Sequence, residues 1–245
     1  MSRPILRQQD AARGSWEKVS PGILPEGIGD DRFTPDPRDL LPGDVILSRG
    51  DSLGGRAVQR VQDDRSFLPE HAGWTHVALF LGGGRLVDGG LNLEGALVIE
   101  AVPFRGVRVV TLPSHAAGRE LLVRRDLLLG APPAPAHGCD FERRLEDMEK
   151  RHLIVASALA YLGQGYGHGS ALRIGWQRLL ARFGGAATVE PAVAAEMLCS
   201  NLVRSAYFKI RRDVSPEVVG TILPANLSAS HILTDQRIGW VEIGR

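Results

Sequence analysis

The first half of the chain is a series of short apolar runs separated by glycine, proline and polar residues. The runs are rich in Val, Ile and Leu, which favours strands, and the turn residues between them indicate an antiparallel meander. The strands expected on this basis occupy residues 44–48, 75–81, 85–88, 96–102, 107–112 and 121–125. A short helix over residues 52–62 is expected between the first two, although Gly54 and Gly55 weaken it.

The pattern changes to a helical one after residue 129. A proline-rich stretch, residues 130–138, is expected to be an extended connector. Apolar residues then recur every three or four positions and predict a long helix, with a face made of Leu145, Met148, His152, Val155, Leu159 and Leu162. Two more helices are expected, one from about residue 170 to 183 and one with the apolar stripe Leu202, Val203, Ala206, Tyr207 and Ile210. Strands followed by helices indicate an α+β fold.

Composition and charge exclude several classes of protein. The chain has 245 residues, a length that fits one large domain, and residues 1–37 are expected to be an irregular leader. Its 29 basic and 28 acidic residues nearly cancel, so the sequence gives no support for nucleic-acid binding. No run reaches the roughly 18 apolar residues of a transmembrane segment, and the N-terminus lacks the core of a signal peptide. We therefore expect a cytoplasmic protein, unless a route that needs no cleaved signal exports it.

Cys139 and Cys199 are the two cysteines, too few for a disulfide framework and without the spacing of a metal site, so no cofactor is expected. Cys199 falls at the first turn of the last predicted helix, three residues before Leu202. A free cysteine there is either a buried core thiol or a nucleophile activated by the helix N-terminus and a nearby base. An ordinary thiol, with a pKa near 8.5, needs both aids because only a few per cent of it is thiolate at neutral pH.

Two polar residues interrupt apolar strands and are the candidates for that base and its partner. His76 shares a strand face with Ala78 and Phe80, which suits a packed, hydrogen-bonded histidine as well as a general base. Glu100 follows four apolar residues, which suggests that it is buried. Because burying a carboxylate alone costs about several kcal/mol, Glu100 should have a hydrogen-bonding or charged partner. That partner is either a histidine that becomes charged during turnover or an arginine such as Arg108.

Three motifs together resemble one family: LPGDVIL at residues 41–47, WTHVALFLG at 74–82 and LCSNLV at 198–203. Glu100, in the segment VIEA, falls where that family carries its third polar residue. The set resembles the circularly permuted branch of the NlpC-type papain-like superfamily, which includes YiiX/YebB-like proteins and relatives of lecithin:retinol acyltransferase. In that branch the strands with the histidine and the third polar residue precede the cysteine helix, as His76, Glu100 and Cys199 do here.

The resemblance implies a fold and a site. The fold would be permuted papain-like over residues 38–245, with residues 130–190 as a helical insertion or substrate wall. Cys199 would be the nucleophile, His76 the general base and then acid, and Glu100 the residue that orients His76. Tyr166, in the segment GQGY, resembles an active-site tyrosine of the family and would contact substrate. Two departures are Asn201, where the family commonly has an acidic residue, and Gly167, where it commonly has aspartate.

The expected function is a thiol hydrolase, either an amidase or peptidase or a lipid or ester hydrolase, or else an acyltransferase with the same acyl-cysteine intermediate. Its substrate would be a peptide, a peptidoglycan fragment or an acyl lipid. The alternative is a non-catalytic binding module on the same scaffold, which the two departures favour and the complete Cys/His/Glu set opposes. A nucleic-acid or membrane adaptor has the least support, because the chain lacks a basic patch and a basic amphipathic helix.

Overall fold

The computed structural model describes residues 6–10, 15–18, 33–50, 53–64, 67–84, 86–87, 90–129, 140–165, 198–216, 218 and 221–242. The strands within these ranges are β1 (Leu6–Asp10), β2 (Ser15–Lys18), β3 (Phe33–Pro35), β4 (Val45–Arg49), β5 (His76–Gly82), β6 (Leu86–Val87), β7 (Gly90–Leu91), β8 (Leu97–Val102), β9 (Gly106–Thr111), β10 (Glu120–Asp126), β11 (Leu233–Asp235) and β12 (Gly239–Glu242). The helices are α1 (Leu53–Asp64), α2 (Pro69–Ala72), α3 (Leu112–Ala116), α4 (Asp140–Leu159), α5 (Cys199–Phe208) and α6 (Pro224–Ala229).

A six-stranded antiparallel sheet forms the centre of the fold, in the order β11-β10-β4-β5-β8-β9. Its strands β4, β5, β8, β9 and β10 were predicted as part of the meander, but β10 pairs with β4 rather than with β9, and β6 pairs with β7 in a separate sheet. One line of paired residues crosses four strands: Ile46, Ala78, Glu100 and Arg108. The expectation of an α+β fold with an antiparallel sheet packed against helices is confirmed.

Both faces of this sheet are covered, which explains why its strands are nearly continuous apolar runs. Val77, Leu79 and Ile99 face α4 and α5, where they pack in the larger apolar cluster together with Leu202 and Tyr207. The alternate residues of the same strands point to the opposite face. There they pack in a second cluster that includes Ala78, Phe80, Val98, Leu112 and Trp240.

A second sheet includes part of the predicted leader. Its strand order is β1-β2-β12-β3, so three strands before residue 38 combine with one near the C-terminus. We expected residues 1–37 to be irregular, and the structure differs: β1 pairs with the nearby β2, and β2 and β3 each pair with the distant β12. Strands of three to five residues are too short to show a clear alternation in the sequence.

Helix α4 forms where the sequence predicts it but buries a different face. Leu145, Met148, Leu159 and Leu162 are exposed, whereas Arg151, Ile154, Ser157 and Ala158 are buried. The apolar period therefore gave the wrong face. The reason lies in Arg151, whose guanidinium lies 3.6 Å from the buried carboxylate of Asp44 and turns that side of the helix inward. No helix in the described ranges is long and apolar enough to cross a membrane.

Candidate active site

Cys199 is the first residue of α5, and its side chain is 6% exposed. Leu198, the residue before it, is extended and provides no side-chain cap, and the first turn of the helix contains no acidic residue. Since the first backbone N–H groups of a helix have no partner within it, the thiol lies at an uncapped, positively polarised end. This position favours negative charge on the sulfur or on an atom bound to it.

Side chains next to Cys199 fix the start of α5. The hydroxyl of Ser200 donates a hydrogen bond of 2.7 Å to the carbonyl of Ile222. The backbone N–H of Ile222 donates in turn to Oδ1 of Asn201, at 3.3 Å. Asn201 therefore accepts a hydrogen bond through an oxygen that aspartate would also provide, so an acidic residue here would preserve the contact.

His76 is the first residue of β5 and is held in place by a residue that the sequence did not reveal. The amide of Gln62 is buried and donates to the carbonyl oxygens of Ala72 and Trp74, at 2.7 and 2.8 Å. Its own oxygen accepts from the backbone N–H of Ala225, at 2.9 Å. Gln62 thus ties the segment just before His76 to α1 and α6. A single glutamine in an amphipathic helix carries no signal of such a role.

Glu100 is 1% exposed and has partners on both oxygens. Oε2 lies 2.9 Å from Nε2 of His76, and Oε1 accepts from Nε and Nη2 of Arg108, at 3.0 and 2.6 Å. The two partners that the sequence offered as alternatives are therefore both present. The β-sheet register produces this arrangement, because Glu100 lies opposite Ala78 on one side and opposite Arg108 on the other.

A second histidine completes the surroundings of Glu100. Nδ1 of His115, on α3, lies 2.9 Å from the same oxygen that contacts His76, and the His115 side chain is fully buried. Nη1 of Arg119 lies 3.9 Å from that oxygen. Sequence reasoning missed His115 and Arg119 because they follow β9 in a short helix and turn without periodicity. The one indication of them in the sequence is indirect: a buried carboxylate such as Glu100 needs several hydrogen-bond donors.

These contacts set the protonation states of the three residues. Burial acts to lower the pKa of His76, but the hydrogen bond and charge of Cys199, followed by those of Glu100, outweigh it and raise the pKa to about 9. Burial acts to raise the pKa of Glu100, but hydrogen bonds from His115 and His76 hold it well below its ordinary value. Burial lowers the pKa of His115 to about 4, despite its contact with Glu100. At neutral pH the carboxylate is ionised and His115 is neutral.

The ring of His76 is thus placed between a carboxylate and a thiol. Its Nε2 contacts Glu100, and Cys199 lies close enough to the ring to raise its pKa. Nδ1 is the ring nitrogen left for the sulfur. Such an arrangement can move a proton between sulfur and imidazole while the carboxylate balances the charge on the ring.

The same residues could be considered as metal ligands. His76, Glu100 and His115 each offer a ligand atom, and these atoms lie within 4.8 Å of one another. A cation there would meet Arg108 on one carboxylate oxygen and Arg119 near the other. Because this positive charge already compensates Glu100, the hydrogen-bonded arrangement fits the described residues better than a metal site does.

The segment that leads to Tyr166 is held against β9. The backbone of Val107 accepts a hydrogen bond from the N–H of Gly163 and donates one to the carbonyl of Gln164, at 2.9 and 2.8 Å. Gly106 permits this approach, because a Cβ there would come within 2.3 Å of the Gln164 oxygen. Tyr166 itself lies outside the described residues, as do Cys139 and the helix predicted near residues 170–183.

Comparison with known proteins adds no assignment. No protein-family model matches the chain, and a search of the curated proteins finds no match.

Proposed function

We propose that this protein is a cysteine hydrolase or acyltransferase that forms its acyl-enzyme on Cys199. The observations that carry the proposal are the position of Cys199 at an uncapped helix N-terminus, its influence on the pKa of His76, and the contact between Nε2 of that histidine and a buried carboxylate. Each of these features favours separation of charge between sulfur and imidazole. Their combination is what a thiol nucleophile needs.

In the first half of the reaction, the proton of the Cys199 thiol is already on His76, whose raised pKa of about 9 keeps the ring protonated at neutral pH, and the sulfur attacks the carbonyl carbon of an amide or ester. A C–S bond forms while the carbonyl electrons move to oxygen. Backbone N–H groups at the start of α5 stabilise this oxyanion. When the C=O bond forms again, the bond to the amine or alcohol breaks, and the leaving group takes the proton from His76.

In the second half, water or another nucleophile attacks the thioester and gives its proton to His76. The C–S bond breaks, the acyl group leaves on the new nucleophile, and His76 keeps the proton it has accepted. Proton transfer of this kind contributes roughly 10²–10⁴-fold to a rate. Water as the acceptor gives a hydrolase, and any other acceptor gives an acyltransferase.

Glu100 has two roles in this proposal. Its charge stabilises the imidazolium form of His76, and its Oε2 fixes the ring through Nε2 so that Nδ1 faces the sulfur. Because the pKa of Glu100 is held well below its ordinary value, the carboxylate stays ionised through the cycle. A buried residue that kept exchanging its proton could not perform either role.

The permuted papain-like architecture is part of the same proposal. It is supported by the order His76, Glu100, Cys199 along the chain and by an antiparallel sheet that packs against the cysteine helix. Substrates would be those of the family: peptides, peptidoglycan fragments or acyl lipids.

A binding module on the same scaffold is the second candidate, and one observation favours it. Cys199 is 6% exposed, so a substrate carbonyl has little access to the sulfur in this conformation. The module would keep the buried hydrogen bonds and bind the same chemical groups without forming a covalent bond.

The discriminating experiment measures intact mass after exposure of the protein to peptidoglycan fragments and acyl lipids. The wild type should gain the mass of one acyl group and Cys199→Ala should not, whereas Cys139→Ala should behave as the wild type does. Binding without an adduct on any variant, with turnover also absent, would contradict catalysis and leave the binding module.

A further inference from the structure

One carboxylate oxygen of Glu100 is shared between two histidines. Nε2 of His76 and Nδ1 of His115 both lie 2.9 Å from Oε2, and the two rings are 5.8 Å apart between centroids. The other oxygen is occupied by Arg108. The carboxylate therefore cannot rotate without losing contacts on both oxygens.

The protonation of His115 is settled by its surroundings. Its ring is fully buried on α3, and the charged groups that face it are Glu100 from β8, His76 from β5 and Arg119 from the turn after α3. A neutral imidazole has one N–H, and that proton must be on Nδ1 because Nδ1 meets a carboxylate oxygen. Nε2 then carries a lone pair, and it has no hydrogen-bond partner in the described part of the chain.

This arrangement distinguishes His115 from a packing residue. A leucine would fill a similar volume without burying an unpaired nitrogen, so packing alone does not account for an imidazole here. A lysine or arginine would also donate to Oε2, but it would bring a full positive charge next to His76. A neutral donor fixes the oxygen and keeps the negative charge of Glu100 available to the His76 ring.

We propose that His115 is a positioning residue, whose Nδ1–H acts with Arg108 to fix Glu100 so that Oε2 stays on His76 and Nδ1 of His76 stays on Cys199. This inference deepens the proposed function and rests on it for its effect on reactivity. His115 touches neither the sulfur nor the substrate in this scheme. It acts through Glu100.

The test uses the full chain with Cys139→Ala, so that Cys199 is its one thiol. The second-order rate of alkylation by iodoacetamide is followed over a wide range of pH for His115, His115→Leu and His115→Asn, with His152→Leu as a control on an exposed histidine of α4. Asparagine is the conservative variant, because its side-chain N–H₂ can take the place of Nδ1–H. Nuclear magnetic resonance of labelled histidines gives the pKa of His76 in the same proteins.

The expected result is a roughly 10-fold slower alkylation in His115→Leu, the size usual for a lost orienting contact, with substantial recovery in His115→Asn. The pKa of His76 should fall from about 9 in His115→Leu, because an unfixed Oε2 contacts the ring less, and should recover in His115→Asn. A His76 pKa that is unchanged or raised in a folded His115→Leu would overturn the proposal, as would equal rates in the leucine and asparagine variants.

A measurement on the wild type protects the test against a variant that does not fold. The ¹⁵N shifts of His115 should show a neutral ring protonated on Nδ1 at neutral pH, and a proton on Nε2 would overturn the proposal. The outcomes also separate the two levels of inference. If Cys199 proved unreactive while the ¹⁵N shifts and the His76 pKa behaved as expected, the proposed function would fail and the positioning of Glu100 by His115 would stand.

Discussion

Glu100 on β8 and Asp44 directly before β4 are both buried carboxylates, and they differ in what occupies their oxygens. Asp44 is 0% exposed and is spanned by Arg125, with Nε 2.8 Å from Oδ1 and Nη2 2.5 Å from Oδ2. Arg108 instead places both of its nitrogens on one oxygen of Glu100. The other oxygen is left to two imidazoles, which can change protonation, whereas a guanidinium cannot.

The contacts around Asp44 hold several elements of the fold together. Its Oδ2 also accepts from the backbone N–H of Leu41, at 2.9 Å, and Arg151 on α4 contributes a second positive charge. Close by, the hydroxyl of Tyr207 on α5 donates to the carbonyl of Gly43, at 2.7 Å. The cluster joins β4, β10, α4 and α5. A buried acid paired with arginine is therefore not a site by itself, and the partner of the second oxygen decides its role.

The largest expected effect concerns His76. His76→Ala should slow alkylation of Cys199 at neutral pH by roughly 10²–10⁴-fold, the contribution of a general base, and should also lower stability in urea because the buried Glu100 loses a partner. His152→Ala, an exposed histidine on α4, is the matched control and should leave both measurements unchanged. If Cys199 in His76→Ala were alkylated at nearly the rate of the control, there would be no basis for giving Glu100 and Asp44 different roles.

Replacing each carboxylate with its amide tests directly whether Asp44 and Glu100 differ in role. Asp44→Asn should reduce the free energy of unfolding by roughly 3–5 kcal/mol, because it leaves buried arginines without their counter-ion. Alkylation of the protein that remains folded should proceed at the wild-type rate. Unfolding by urea and alkylation in its absence measure the two quantities, with Asp63→Asn as the exposed control.

Glu100→Gln should show the opposite order of effects. The rate of Cys199 alkylation should fall by at least about 10-fold, as expected when an orienting group is lost, and Glu94→Gln, exposed before β8, should match the wild type. Stability should fall as well, since Arg108 loses its partner. Equal loss of reactivity in the Asp44 and Glu100 variants would mean that the two clusters do not differ in function.

Local pattern was enough to predict the strands β4, β5, β8, β9 and β10 and to single out Glu100, whereas Cys199 and His76 were singled out by the motifs that resemble a known family. A carboxylate inside an apolar strand is conspicuous, and alternation places it on one face with its neighbours. His115 and Gln62 were not predictable, since each meets its partners through the packing of distant segments. The prediction of which face of α4 is buried was wrong for the same reason. Arg151 faces inward because of Asp44, which lies more than 100 residues earlier in the chain.

The two histidines that contact Glu100, His76 and His115, should also affect how stability depends on pH. The pKa of His76 is raised to about 9 in the folded state, so its stabilising contribution is complete below its ordinary value of 6.5 and is lost as pH rises towards 9. The pKa of His115 is lowered to about 4, so the unfolded chain binds a proton first and stability falls as pH drops from 6.5 towards 4. These two contributions should give a maximum near pH 6.5 in urea unfolding, and His115→Asn should flatten its acid side.

The smallest effect is expected at Asn201. Asn201→Asp introduces a carboxylate at this position and keeps an oxygen for the N–H of Ile222. Stability should change by no more than about 0.5 kcal/mol, as for a substitution that preserves its contact. The rate of Cys199 alkylation should stay within about two-fold of the wild type, which corresponds to a change of roughly 0.4 kcal/mol in the activation free energy. A larger loss would give this asparagine a part in the site.

The most direct measurement is the trapping of a thioester. The Cys139→Ala protein is mixed with p-nitrophenyl acetate, quenched in acid, and its intact mass and peptide map are recorded. We expect one acetyl group on Cys199, removable by hydroxylamine, at a level that drops sharply in His76→Ala. Absence of acetyl-Cys199 under conditions in which nitrophenol is released, or equal acetylation with and without His76, would contradict an acyl-enzyme formed by this cysteine and histidine.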